Sequence, residues 1–197
     1  VFFSFHYQND IWRVNQVRNS WVFSNESERE ALGFFDGSIW ERSQRTSDDS
    51  LKKLIREGIK NTSVTCILSG ANTYQRRWVR YEIARSVVKG NGLLVVKIHN
   101  LKDQYGSSAA VGHNPLSFMG TYRVDDGRIF LAEFKDGEWK RYLDYTKPVT
   151  LPANWEKPVS INVLPLSIYA NEYCYSFDHG YQNFSNWVHQ SAVAVGV

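Results

Sequence analysis

Val64-Thr65-Cys66-Ile67-Leu68-Ser69-Gly70 and, after a single helical segment, Leu93-Leu94-Val95-Val96-Lys97-Ile98 decide the fold of this chain. Each is a short apolar run, and the first stops at Ser69-Gly70, so both read as buried strands. Between them, from about Gln75 to Lys89, Val79, Ile83 and Val87 recur within a sector about 80° wide. That sector is the core face of a helix, which Gly90 ends. A strand, a helix and a strand in this span form a βαβ unit, and the two strands of such a unit run parallel.

The same alternation extends toward the amino end. Val1-Phe2-Phe3-Ser4-Phe5 is a short apolar run, read as a strand that begins at once. Asn9 or Asp10 is placed to cap a helix with Ile11, Val14, Val17 and Trp21 at helical spacing. Leu32-Gly33-Phe34-Phe35-Asp36 reads as a further strand running into the loop Gly37-Ser38-Ile39-Trp40-Glu41. Ser47 caps a helix whose stripe is Leu51, Leu54, Ile55 and Ile59, with Asp48 and Asp49 at its positive end. The prediction is an α/β fold, a parallel sheet flanked by helices. Such sheets bind ligands outside the carboxyl ends of their strands. That rim collects Phe5-His6-Tyr7, Asp36-Gly37-Ser38, Ser69-Gly70 and the start of the helix carrying Trp78.

After His99 the character changes, so the chain divides into a core, 1–100, and an extension, 101–197, packed on it as one structural domain overall. Residues 100 to 120 are loop-like. Asp126-Gly127 and Asp136-Gly137 are turn signals around the runs 128–134 and 138–142, which predicts a small antiparallel meander. Pro148, Pro152 and Pro158 mark an irregular connection. Tyr181, Phe184, Trp187 and Val188 then fall at the spacing of a terminal helix.

At 197 residues with 43% hydrophobic and 22% charged, the chain has enough apolar side chains for a full core. A net charge of +3 without any long run of Lys or Arg argues against a nucleic-acid partner. No apolar run approaches the roughly 20 residues of a membrane span. The first residues lack the basic leader of a signal peptide, and the missing initiator Met points to trimming ahead of Val1. Cys66 sits inside a strand and Cys174 is remote in sequence, which fits a reducing, cytoplasmic location better than a disulfide framework. The usual phosphate-loop, nucleophile-elbow and paired-cysteine motifs are absent, and the five histidines have no ligand spacing, so no metal is expected.

The chemistry-bearing stretch is Trp78-Val79-Arg80-Tyr81-Glu82-Ile83. Residues four apart on a helix share a face, about 40° from each other. The pair therefore sets an indole beside a carboxylate, at the edge of the core stripe. On spacing alone, ion pairs of Glu82 with Arg80, Arg85 or Arg77 on a solvated face are the better-supported reading, and Trp78 suits packing beside the core stripe.

Val1-Phe2-Phe3-Ser4-Phe5, the Phe35-Asp36 loop, Ser63 to Ser69 and the Trp78–Ile83 stretch occur in the order and spacing of TIR domains, over roughly residues 1 to 100. The forms Phe3-Ser4-Phe5-His6-Tyr7-Gln8, Asn61-Thr62-Ser63-Val64-Thr65-Cys66 and Arg76-Arg77-Trp78-Val79-Arg80-Tyr81-Glu82 resemble the TIR-like ThsB proteins of the bacterial Thoeris anti-phage system. The region beyond residue 100 is similar to that group's C-terminal extension. The resemblance implies a flavodoxin-like TIR fold and cleavage of NAD, as substrate rather than cofactor, at the nicotinamide–ribose bond. It further implies cyclisation to a cyclic ADP-ribose isomer, a diffusible signal that activates a separate effector, ThsA, after a phage trigger. Glu82 matches the family's catalytic carboxylate and Trp78 its substrate-site indole.

Nicotinamide leaves a cationic ring as a neutral molecule, so no general acid is needed, and the oxocarbenium-like sugar needs a nearby negative charge. Glu82 must then be ionised near neutrality. Phe5, Tyr7 and Trp40 are candidate walls for a folded substrate, with Asp36 and Ser38 in the loop facing it. His6, Arg42, Arg45 and amides at helix starts are the candidates for the pyrophosphate. The competing readings are a non-catalytic TIR interaction module that scaffolds partners and a binding protein that senses a nucleotide or a phage component; self-association is a further expected contact.

Overall fold

The computed structural model describes residues 1–23 and 47–197. The predicted strand Leu32–Asp36 and its loop, with Asp36, Ser38 and Trp40, lie outside the described residues, as do Arg42 and Arg45.

In chain order the elements of the larger layer are β1 (Phe2–Phe5), α1 (Tyr7–Phe23), α2 (Asp48–Lys60), β2 (Val64–Ser69), α3 (Arg77–Lys89) and β3 (Gly92–Lys97). The extension adds β4 (Met119–Arg123), β5 (Ile129–Lys135), β6 (Glu138–Arg141), β7 (Leu164–Pro165), β8 (Asn171–Cys174) and α4 (Gly180–Val193). β1, β2, β3 and β8 form a parallel sheet in that order, with Ser4 opposite Ile67 and Ile67 opposite Val95. β6, β5, β4 and β7 form a separate antiparallel sheet.

The inner strands are continuous apolar runs because helices cover both faces of the sheet. On one face Phe3, Phe5, Cys66, Leu68, Leu94 and Val96 pack against Val14, Val17 and Trp21 of α1 and Phe184 and Trp187 of α4. On the other, Ile67, Leu93 and Val95 meet Val79, Ile83 and Val87 of α3, and this core continues through Leu116 and Met119 to Leu131 of the second sheet. Phe2 closes against Leu51, Ile55 and Ile59 of α2 and Tyr81 of α3. Both cysteines are free thiols, and complete burial pushes the Cys66 thiol far up from its ordinary pKa.

Several boundaries differ from the sequence reading. α1 starts at Tyr7, so neither Asn9 nor Asp10 caps it, and the Asp10 amide already donates to His6 O at 3.0 Å. The Asp10 carboxyl instead turns into the protein, 3.4 Å from Thr73 Oγ1 and 3.6 Å from Arg13. α3 starts at Arg77 because Thr73–Gln75 closes a 3₁₀ turn and leaves Arg76 extended at ψ 122°. Ser47 caps α2 as expected, and Gly90 takes the left-handed conformation, φ 83°, that ends α3. Asp136 and Gly137, at φ 56° and 84°, make the hairpin turn of the meander. Tyr181 is 62% exposed rather than packed, because Gly180 lies against the Tyr175 ring and Tyr175 fills that part of the core. The polar β8, Asn171-Glu172-Tyr173-Cys174, lacks an apolar signature because it is an edge strand, and Lys97 pairs with Glu172 across it at 2.5 Å.

Gly92 opens β3 where α4 crosses, and a Cβ there would overlap the Ser191 carbonyl oxygen. Gly92→Ala should therefore destabilise the protein by about 2 kcal/mol or more, read as a lower urea midpoint. Gly137→Ala, at an open turn with φ 84°, should cost only about 1 kcal/mol.

Candidate active site

α3 descends from the carboxyl end of β2 to the amino end of β3, so its first turn stands at the ligand rim and Glu82 lies further in. Even-numbered residues of β1 face α3: Phe2 enters the core between α2 and α3, while Phe3 and Phe5 enter the opposite one. Ser4 shares the Phe2 side, and its hydroxyl donates to Glu82 Oε2 at 2.5 Å. Ser4 is fully buried and Glu82 only 5% exposed.

The arginines flanking Glu82 are engaged elsewhere. Arg80 bonds Glu133 at 2.7 Å, and Arg77 bonds Asp144 at 2.9 Å and Asp48 at 2.8 Å. The Arg85 guanidinium lies 5.4 Å from the Tyr145 ring centre. Among the described residues no cation pairs with Glu82, which replaces the reading of Glu82 as a solvated ion-pair residue. Burial in the absence of a cation pushes the carboxyl up to about 8, against the opposing hydrogen bond from Ser4. Glu82 is therefore largely protonated at neutral pH in the free protein, contrary to the expectation that the fold alone keeps it ionised.

One turn deeper, Ser86 Oγ donates to Glu82 O at 2.8 Å and lies 2.6 Å from Thr65 Oγ1. Asn91 Nδ2 donates to Thr62 Oγ1 at 2.9 Å and Thr65 Oγ1 at 3.3 Å. These buried hydrogen bonds tie α3 to β2 and fix the height of Glu82 opposite Ser4.

Residues 2–103 match the family described as "Thoeris protein ThsB, TIR-like domain". The chain belongs to this ThsB TIR-like family. A relative is the "Putative cyclic ADP-D-ribose synthase ThsB1" of Bacillus cereus (strain MSX-D12). It is 43% identical over 192 residues, which are 95% of this chain and 97% of that protein. The likeness thus runs through the extension as well as the family's TIR-like region.

Within this ThsB member, the sequence-predicted site residues divide by face. Trp78, half-buried one turn nearer the rim than Glu82, has the Tyr81 ring edge-on at 6.1 Å and the Arg77 guanidinium 4.8 Å from its ring centre. His6 follows β1 at the rim and is 6% exposed, and neither ring nitrogen has a hydrogen-bond partner among the described residues. Burial, then the charge of Arg76, hold its pKa down at about 4, so the imidazole is neutral at pH 7.

Phe5 packs with Val14 and Val17 on the face opposite Glu82, and Tyr7 borders the same cluster. Neither belongs to the Glu82 side: alternation along β1 sends Phe5 toward α1, and Tyr7 is the first residue of α1 itself. Asp36, Ser38 and Trp40 lie outside the described residues.

Two contributors escaped the sequence reading. Ser4 carried a signal: it is the one hydroxyl inside an otherwise apolar strand, Phe2-Phe3-Ser4-Phe5. The other is the extension segment 112–118. Gly112 lies against Gly70 O, His113 O is within 3.5 Å of Ser69 Oγ, and Tyr74 stands 4.9 Å from both the His113 and Phe118 rings. This segment covers the carboxyl end of β2. Nothing local in its sequence announces a partner 40 residues away.

Among the described residues no His, Cys, Asp or Glu cluster could hold a metal, and no helix is long and apolar enough to cross a membrane.

Glu82 carries a pH signature. An unfolded Glu loses its proton near 4.5 and the folded one at about 8, so between these values the native state holds the extra proton. Stability from this group therefore falls as pH rises through that window and is flat above it. Glu82→Gln should remove a loss on the order of 3 kcal/mol between pH 5 and pH 8, seen by comparing urea midpoints with the unaltered protein.

Proposed function

We propose that the protein is an NAD-cleaving ADP-ribosyl cyclase of Thoeris anti-phage defence. The observation that carries this reading is the Glu82 carboxyl, buried one turn in from the ligand rim with a hydroxyl partner and no cation among the described residues. A carboxylate that only stabilised the fold would gain from a counter-ion, and this one lacks it. The name of the 43% identical relative, a cyclic ADP-D-ribose synthase, supports the same chemistry.

The pyridinium ribose of NAD brings the missing positive charge. Its approach favours the ionised form of Glu82 and lowers the carboxyl from about 8 toward neutrality. The bond between C1′ and the ring nitrogen breaks, the electron pair leaves with neutral nicotinamide, and cationic character remains on the ribose. Glu82 stabilises that charge in a site of low dielectric, where it acts far more strongly than in water. A hydroxyl of the same ADP-ribose then attacks C1′ and releases its proton to solvent, which closes the ring. Trp78 stacks a ring of the folded substrate, and the Ser4 hydrogen bond aims the carboxylate oxygen.

Residues 1–100 carry this site and 101–197 brace it, as one structural domain. The product diffuses to a separate NAD-consuming effector, ThsA, and phage infection triggers its synthesis in the cytoplasm.

Lysates of phage-exposed cells making the protein should contain a cyclic ADP-ribose isomer by mass spectrometry. Glu82→Gln should reduce it at least 100-fold without loss of folded protein, on the scale of removing a transition-state charge partner. Undiminished product from that variant would sink the assignment.

Ser4 generates a second test. Below about pH 8 the free enzyme holds Glu82 protonated, so kcat/KM should rise with pH to a plateau near that value. Ser4→Ala removes the hydrogen bond that favours ionisation. The rise should move to higher pH, with roughly tenfold less activity at pH 7 for each unit of displacement. Ser4→Thr, which keeps the hydroxyl, should restore the original profile.

A further inference from the structure

The two helices that pack on the inner face of β1 begin in opposite ways. α2 is capped by Ser47 and carries Asp48 and Asp49 in its first turn, as the positive end of a helix favours. α3 has no side-chain cap and no acidic residue in its first turn. Its cap position is Arg76, followed by Arg77, so two cations stand at the positive end of the helix dipole. Arg80 N is the first amide of α3 with a carbonyl partner, Arg76 O at 3.1 Å. The amides ahead of it open toward the rim.

Such an arrangement destabilises an isolated helix. Arg77 is compensated by Asp48 and Asp144. Arg76 is half-buried and forms no ion pair among the described residues. Its charge reaches His6, the residue that follows β1.

His6 supplies an independent observation. Its imidazole is more than nine-tenths buried, yet both nitrogens lack a partner among the described residues. Leaving a buried polar group unpaired costs the full desolvation of that group. His6 directly follows the last residue of β1, and its carbonyl accepts the first bond of α1, so it stands at the carboxyl end of the sheet, the rim at which α3 begins. An uncapped helix start, an uncompensated guanidinium and a buried imidazole without a partner therefore share one corner. Each lacks the same thing, an anion with several acceptor oxygens.

We infer that Arg76, His6 and the open amides at the start of α3 form the docking point for the diphosphate of a dinucleotide. The spacing suits the proposed reaction, on which this inference rests. Six residues of helix separate Arg76 from Glu82, a rise of about 9 Å. A diphosphate at the helix start leaves the attached ribose to extend inward past Trp78 toward Glu82. Arg76 is a binding residue here, and His6 donates a neutral N–H to a phosphate oxygen.

Calorimetric titration of the full chain with ADP, and separately with adenosine, tests the inference without turnover. ADP should bind measurably more tightly than adenosine. Arg76→Gln should weaken ADP at least tenfold and leave adenosine unchanged, and Arg76→Lys should recover most of the loss. Inorganic pyrophosphate should shift the His6 ring resonances in NMR spectra of the unaltered protein but not of Arg76→Gln. Equal ADP affinity in Arg76→Gln, an equal loss for adenosine, or no preference for ADP in the unaltered protein would each overturn it. Glu82→Gln should bind ADP as the unaltered protein does, so a failure of the catalytic assignment would be seen separately, in turnover alone.

Discussion

A parallel sheet must be covered on both faces, and the rest of this structure depends on that requirement. Phe3, Cys66 and Leu94 need α1 and α4 on one side, and Ile67 and Val95 need α3 on the other. Residues on the inward side of α3 therefore leave water whether or not they are apolar. Glu82 lies on that side, and this converts an ordinary helix carboxylate into a perturbed one. The hydroxyl of Ser4 hydrogen-bonds one carboxyl oxygen without supplying a counter-charge.

The βαβ framework was legible because its signals are local. Val64–Ser69 and Gly92–Lys97 are apolar throughout, the Val79–Ile83–Val87 stripe has helical period, and Gly90 marks the end of α3 by its backbone preference. The starts of helices were less legible, because residue type competes with tertiary partners. Asp10 has the chemistry of a cap, yet Arg13 and Thr73 draw its carboxyl inward and the helix begins before it. β8 was invisible for a related reason. An edge strand exposed along one side keeps polar residues, so its pairing with β3 depends on hydrogen bonds and on Lys97–Glu172 rather than on an apolar pattern.

The site was half legible. Spacing put Trp78 and Glu82 on neighbouring parts of one helix face, but it could not choose between a solvated ion pair and a buried carboxyl. That choice is made by residues far away in sequence: Glu133 and Asp144 engage Arg80 and Arg77, and Ser4 engages Glu82. Phe5 and Tyr7 show the converse. Their aromatic character suggested pocket walls, but the two-residue period of β1 turns Phe5 toward α1, and Tyr7 opens α1 and borders the same cluster.

The extension therefore acts on the site through charge as well as packing. Glu133 lies on β5 and Asp144 just past β6, and together they hold two of the three arginines nearest Glu82. A guanidinium left free on α3 could turn toward Glu82, and a pair formed there would fix the carboxylate in its ionised form before any substrate arrived. Binding the pyridinium would then mean displacing a strong partner. By occupying those arginines, the second sheet leaves Glu82 with a hydrogen bond that orients it and no charge that satisfies it. The cation that best completes the site is then one that enters from the rim.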